Sequence, residues 1–378
     1  MKILGVETSC DDTGIAVVEI TGNKTPRFSI LSNIVSSQVQ IHQKYGGVYP
    51  MLAKREHEKN LPITLAETLK KAGVQESKPN IDAIAVTVGP GLSPCLWTGI
   101  NFVKKLSQQW EVPVIPVDHI EAHLLIGLLQ QTDEISNFKI RISKQIHSKF
   151  KIQNSKFLFP AIALIVSGGH TQLVLVKEIG DYRIIGETRD DASGEAFDKT
   201  ARILGLGFPG GPEIAAAAAK FSISNSQFSI KLPRPMMHSK DYDFSFSGLK
   251  TAVLYDYQSR PKKERESKEY VQAMAAEIQQ AIVDVLISKT LRAAKEFGAK
   301  SIILGGGVAA NDELRRVFEV KLQTLPSSIE LLAPPKNLST DNGAMIAVAG
   351  YFNWLNEKYT KNFDSLEAQP NLRLAQTI

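Results

Sequence analysis

Two histidines four residues apart, His119 and His123, stand in the run V-D-H-I-E-A-H-L-L, Val117 to Leu125. On a helix that spacing puts both side chains on one face. Two imidazoles held that way make half of a metal site. Glu121 lies two residues from each, about 200° around the helix, and points away from them. In the zinc-protease pattern H-E-x-x-H the Glu follows the first His and serves as general base. Here Ile120 fills that slot, so the spacing of a peptidase is present without its base. The plain alternative is a pair of core or surface histidines with no ion. The best candidate for a third ligand is Asp341, in S-T-D-N-G-A-M-I at the start of an apolar helix reaching about Trp354. An Asp in that position most often caps the helix, yet it also sits at an element end between Thr340 and Asn342. Two His and one carboxylate with open positions is the set associated with non-haem Fe(II), with zinc as runner-up.

Other stretches could handle a phosphate or a nucleotide. Residues 2–7, K-I-L-G-V-E, read as a buried strand, and Ile15–Ile20 as the returning strand of a hairpin. The tip between them, T-S-C-D-D-T-G, could place backbone N–H groups and hydroxyls around a phosphate, or be a polar turn. Its adjacent carboxylates, Asp11 and Asp12, could hold a cation, act as a base, or be solvated. Residues 161–176 repeat the strand–turn–strand pattern, with Ser167-Gly-Gly-His-Thr171 at the tip, and suggest a duplicated core. G-P-G-L-S-P (Gly89 to Pro94) leads into a helix expected from about Leu96 to Gln108. G-L-G-F-P-G-G-P (Gly205 to Pro212) could wrap a flat or polyol group. A strand at Ser301–Leu304 runs into Gly305-Gly-Gly-Val-Ala-Ala-Asn311 and a helix near Asp312, a place where a base or ribose can lie on bare backbone.

The elements that must position these residues alternate strand and helix through 378 residues, enough for two lobes. A hydrophobic fraction of 43% suits a full core, and a net charge of +5 permits nucleic acid as a partner without arguing for it. Two cysteines, Cys10 and Cys95, make no disulfide framework and suggest a reducing compartment. No secretory signal is visible, and the longest apolar runs, such as Phe157–Val166, are too short to span a bilayer. The expectation is a cytoplasmic protein with no membrane contact. Met51–Leu69 reads as a helix whose face with Lys54, Arg55, His57 and Lys59 is solvated. Residues 131–157 differ in texture: six Lys and Arg face only Asp133 and Glu134. Their alternation permits an exposed hairpin, their low complexity disorder, and their charge an RNA-backbone contact.

Taken together, V-E-T-S-C-D-D-T, G-P-G-L, H-I-E-A-H, V-S-G-G-H-T-Q-L, G-E-A-F-D-K, G-F-P-G-G-P, F-S-F-S-G-L-K-T-A, G-G-G-V-A-A-N and S-T-D-N-G-A-M-I resemble the TsaD family, the tRNA N6-adenosine threonylcarbamoyltransferases. The resemblance implies an α/β, two-lobe actin/Hsp70/sugar-kinase-like (ASKHA) fold with duplicated β-sheet cores flanked by helices. It implies an N-terminal lobe at 1–130 with the His ligands and a basic insert or linker at 131–158. A C-terminal lobe at 159–340 would carry the adenylate loops, and a helix and tail at 341–378 would pack back on the first lobe. The implied reaction transfers the threonylcarbamoyl group of threonylcarbamoyl-AMP to N6 of adenosine 37 in tRNAs reading codons that begin with adenine, releasing AMP. Residue by residue, His119, His123 and Asp341 would hold one divalent metal, Fe(2+) first and Zn(2+) second. Ile165, Val166, Ser167, Gly168, Gly169, Asp198, Gly211 and Asn311 would bind the adenylate. Asp12, or Asp11, would accept the proton of the attacking amine. TsaB-like and TsaE-like proteins would be partners. Many members carry an acidic residue, read as a ribose ligand, where this chain has Ala215. The competing readings are a small-molecule kinase or ATPase of the same fold, a non-catalytic TsaB-like scaffold, which would lack H-x3-H, and a metalloprotease, which Ile120 disfavours.

Overall fold

The computed structural model describes residues 1–22, 26–75, 77, 79–131, 148–151, 158–222, 228–325 and 328–374. In chain order the strands are β1 (Lys2–Glu7), β2 (Asp12–Thr21), β3 (Arg27–Ser37), β4 (Ala83–Gly89), β5 (Val114–Asp118), β6 (Gln130–Gln131), β7 (Ser148–Lys151), β8 (Ala161–Val166), β9 (Thr171–Glu178), β10 (Asp181–Glu187), β11 (Ser301–Gly305) and β12 (Glu330–Leu332). The helices are α1 (Val39–Gln43), α2 (Pro50–Ala72), α3 (Ser93–Trp110), α4 (His119–Gly127), α5 (Ser193–Ile203), α6 (Gly210–Ala218), α7 (Ser247–Ser259), α8 (Lys262–Arg265), α9 (Lys268–Glu296), α10 (Asp312–Gln323) and α11 (Gly343–Leu355). They form two compact units, Met1–Phe157 with Pro334–Ile378, and Leu158–Ala333.

Each unit is built on a sheet with the same plan. In the first the order is β5-β4-β1-β2-β3-β7-β6, and in the second β10-β9-β8-β11-β12. In the first, β1 pairs antiparallel with β2 and parallel with β4, and β4 parallel with β5. In the second, β8 pairs antiparallel with β9 and parallel with β11, and β11 parallel with β12. β3 and β10 complete each meander. The five-strand cores are therefore topological copies. Strands covered on both faces must read as continuous apolar runs, and β8, A-I-A-L-I-V, is buried at every residue. In the first unit Leu4, Val6, Ile15 and Val86 join one core cluster with Leu61, Leu65 and Val103 of α2 and α3.

On the opposite face of that sheet α11 packs without side chains at the crossing. A Cβ on Gly5 would strike the carbonyl of Gly343, and one on Gly343 would strike the backbone of Ile15 and Ala16. The close approach fixes the start of α11, and with it Asp341. Gly343→Ala should therefore cost a few kcal/mol, the range for forced overpacking. A thermal melt lowered by only a degree or so would contradict that.

Residues 132–147 and 152–157 of the basic stretch lie outside the described residues. The segment between them is β7, which pairs antiparallel with β3 and with β6. Its Phe150 is buried opposite Phe28, whose ring meets Tyr351 of α11 edge-on. That part of the stretch is a structural extension of the first sheet. Among the described residues no helix is long and apolar enough to cross a membrane.

Candidate metal centre and nucleotide loops

β5 ends in Asp118, whose carboxylate caps α4 by accepting from the N–H of Ile120 and Glu121. Burial pushes the Asp118 pKa up to about 7 in spite of those two bonds. The cap sets the first turn of α4, so His119 and His123 start the helix on one face, their rings 4.6 Å apart. Every residue of α4 is buried, which makes this a core helix and not a surface one. From the far end of the chain Asp341 arrives just ahead of α11. The helix cap there is the next residue, Asn342, which accepts from the N–H of Met345. This corrects the capping alternative for Asp341 and leaves its carboxylate for the histidines. Asp341 Oδ1 lies 3.1 Å from His123 Nε2 and 3.6 Å from His119 Nε2. The three ligand atoms fall within 4.8 Å of one another, close enough for one ion.

Behind His119 stands Glu7, the last residue of β1 and fully buried. Its Oε2 is 3.1 Å from His119 Nδ1 and accepts from the hydroxyl of Thr87 at 2.6 Å, and its Oε1 accepts from the N–H of Ser9. A carboxylate on the far nitrogen of a ligating histidine fixes the tautomer and strengthens the donor. Burial alone would lower the His119 pKa, but Glu7 and Asp341 outweigh it and push it up to about 9. Burial alone would raise the Glu7 pKa, and His119 outweighs it, holding the carboxyl below its ordinary value. The carboxylates of Glu7 and Asp341 thus make the surroundings of His119 electronegative, which suits a cation, and a ligating imidazole gives up its proton to bind one. His123 Nδ1 is buried with no hydrogen-bond partner among the described residues, so its only committed nitrogen is the one aimed at Asp341. The donor set fits a divalent ion. Glu7→Gln should weaken metal retention about 10–100-fold, the usual cost of losing such a support. Chelator competition followed by metal analysis reads it out, and unchanged retention would contradict the assignment.

At the first hairpin tip the hydroxyls are not available to a phosphate. They are committed internally: Thr8 donates to the carbonyl of Cys95, Thr13 Oγ1 is 2.8 Å from His57 Nδ1, and Ser9 Oγ is 3.3 Å from His119 Nδ1. His57, expected on a solvated face of α2, is fully buried, its Nε2 3.0 Å from the carbonyl of Cys10. It therefore holds the loop that carries Asp11 and Asp12. Neither carboxylate is simply solvated. Burial raises the Asp11 pKa, with Asp341 adding to it. Burial raises that of Asp12 to about 7 against a bond from Ser37, and Asp341, Asp11 and Glu7 add to the rise. Asp12 Oδ1 has no hydrogen-bond partner among the described residues. The helix after G-P-G-L begins at Ser93, three residues earlier than its apolar pattern suggests, because Pro94 is accommodated in the first turn.

In the second unit the corresponding tip is open. Ser167 closes it, its N–H donating to the carbonyl of His170 and its hydroxyl accepting from the His170 N–H. Gly168 and Gly169 are exposed, with free space where a side chain would stand. Ile165 and Val166 end β8 directly below. Gly306, at φ +87°, lies so close to the Val166 carbonyl that no side chain fits, and Gly194 at the start of α5 does the same to Ser167. Asp198 accepts from the N–H of Gly210 at 2.6 Å, beside Gly211, whose Cα faces open space. Asn311 caps α10 and donates to Gln279. The 3-10 turn Gly307–Ala310 before it packs on β8 and α5. The loops at 165–169, 194, 210–211 and 306–311 thus cluster around the C-terminal ends of β8 and β11, the usual ligand position of an open α/β sheet.

Two sheets of one topology flanked by helices, with a His/His/Asp cluster in the first unit, define an α/β protein of the actin/Hsp70/sugar-kinase class. A solved structure of full-length HypF in its phosphate- and nucleotide-bound form aligns with a TM-score of 0.51 at 13% identity, covering 94% of this chain and 56% of that one. The sequence pattern of the TsaD family, tRNA N6-adenosine threonylcarbamoyltransferase, matches residues 29–138 and 145–348. Proteins of that name from Thermosipho africanus and Thermomicrobium roseum are 44% and 47% identical, over 99% and 93% of this chain and 100% and 92% of theirs. One from Bacillus subtilis is 41% identical over 99% of this chain and 96% of its own. The chain belongs to the TsaD family of tRNA-modifying transferases.

Proposed function

We propose that this enzyme transfers the threonylcarbamoyl group of threonylcarbamoyl-AMP to N6 of adenosine 37 in tRNAs reading codons that begin with adenine. One observation carries the reading: two imidazoles and a carboxylate converge in a chain that matches the transferase family from residue 29 to residue 348. His119, His123 and Asp341 hold one divalent metal, Fe(2+) first and Zn(2+) second. When bound, that ion supplies Lewis-acid polarisation of a carbonyl or phosphate oxygen.

The N6 nitrogen attacks the carbamoyl carbon, the bond from that carbon to the phosphate oxygen breaks, and AMP leaves. Ile165, Val166, Ser167, Gly168, Gly169, Asp198, Gly211 and Asn311 bind the adenylate. The N–H groups of Gly168 and Gly169 in the S-G-G turn stabilise the charge that develops on the leaving phosphate. An exocyclic amine is a weak nucleophile, so holding it at the carbamoyl carbon supplies much of the rate. Asp12 accepts the N6 proton, because a carboxylate titrating near 7 is matched to that task. Asp11 is the neighbouring alternative. TsaB-like and TsaE-like proteins are the proposed partners.

The test is mass spectrometry of tRNA nucleosides from cells depleted of this protein. Threonylcarbamoyladenosine should vanish and return when the chain is restored. Its persistence through depletion would refute the reading.

A further inference from the structure

The segment joining α1 to α2 carries an exposed aromatic pair. Tyr45 and Tyr49 are each 59% exposed, and their rings stack with centroids 6.2 Å apart and planes 29° off parallel. The Nζ of Lys44 lies 5.4 Å from the centroid of the Tyr45 ring. Next to them Met51 is 48% exposed. Exposed aromatic rings grouped together form a candidate contact surface.

The backbone that carries the pair is anchored. Its anchor is His42, fully buried beneath the segment. The His42 carbonyl accepts from the Tyr45 N–H, and its Nδ1 accepts from the Tyr49 N–H at 3.3 Å. Its Nε2 is 3.1 Å from Gln38 Oε1, and the Gln38 amide donates to the carbonyl of Ala53 in α2. Gly46, at φ +67°, makes the turn between the two tyrosines possible. The same Gln38 donates its backbone N–H to the carbonyl of Asp11. The platform and the Asp11–Asp12 loop are therefore parts of one hydrogen-bonded unit.

We propose that Tyr45 and Tyr49 stack an unpaired base of the RNA substrate, one adjoining the acceptor adenosine in the same loop. The proposal rests on the transferase reading above. An amine brought to Asp12 must come from a splayed-out loop nucleotide, and its neighbours lose their stacking partners on leaving the loop. Flat aromatic faces restore that stacking without sequence readout, and a cation beside them suits the flanking phosphates.

The probe is an RNA hairpin carrying the anticodon loop, with 2-aminopurine next to the acceptor adenosine, titrated with the full chain. Wild type should quench the fluorophore. Tyr49→Ala and Tyr45→Ala should each raise Kd about 10-fold, while Tyr→Phe at either position keeps the wild-type value. The salt dependence of the Tyr→Ala variants should keep its slope, since no phosphate contact is lost. Both tyrosines are exposed, so the variants should melt like wild type. His119→Ala with His123→Ala should bind the hairpin normally and fail to modify it. If wild type modifies tRNA while the alanine variants bind and quench unchanged, the platform is overturned. If wild type, supplied with threonylcarbamoyl-AMP and the proposed partner proteins, produces no threonylcarbamoyladenosine, the transferase reading fails and the platform with it.

Discussion

Replacing both histidines, His119→Ala with His123→Ala, should remove the metal and reduce tRNA modification by at least about 10^3-fold, with the chain still folded. The size follows from the several kcal/mol that a bound cation contributes to a charge-developing transition state. The fold should survive because the helix carrying them does not depend on the rings. Its cap is Asp118, and its apolar residues Leu124, Leu125 and Ile126 are fully buried. Loss of two buried polar rings leaves a cavity and removes the partners of Glu7 and Asp341, so some destabilisation accompanies the loss of metal. Activity is therefore compared at a temperature well below the melting point of the variant. Retained modification in a chain shown to lack metal would remove the ion from the reaction.

Asp12→Asn should lower kcat by about 10^2–10^4-fold, the span for losing a positioned base, with little change in RNA affinity. The pH profile separates this from a structural effect. Asp12 must be ionised to take a proton, so wild-type kcat should rise with pH through about 7 and level off above it. The variant should lack that rise. Stability should move the opposite way. The ordinary value for the group is 3.8 and the folded value is about 7, so the folded state holds the proton more tightly. Its contribution to stability is fully present below pH 3.8 and lost as pH rises through about 7. The neutral Asn escapes that loss, so the variant should melt higher than wild type at pH 8 and about equally at pH 4. A variant that is less active and less stable at every pH would point to disruption of the loop instead.

The centre was legible where it rested on local spacing. His119 and His123 share a helix face because they are four residues apart, and the S-G-G turn is open because two glycines end a buried strand. Asp341 could be nominated from its place at an element end. What decided between ligand and cap was Asn342, one residue on, taking the capping bond. In the sequence Glu7 stands only as the last residue of a buried strand. Its partner His119 is 112 residues away, a separation no local pattern encodes. The available signal was a carboxylate ending a strand otherwise apolar enough to be buried on both faces. His57 was misjudged for a related reason. Its helix is basic on one side, but its own turn faces the Cys10 carbonyl and Thr13, contacts made across the sheet. The hydroxyls of the first hairpin looked available because composition says nothing about prior commitments. The duplicated core was visible as two strand–turn–strand units, while the matching parallel pairings of β4 and β11 only appear once the sheets are assembled.

The central claim is one cation held by His119, His123 and Asp341, the last of them 218 positions beyond His123 in the chain. X-ray absorption spectroscopy on the purified metal-loaded protein tests it most directly. The predicted first shell contains two imidazole nitrogens and a carboxylate oxygen, with Asp341→Ala losing the oxygen and His123→Ala one nitrogen. A fully active protein whose metal shell contains no imidazole, or whose shell is untouched by both substitutions, would contradict the account.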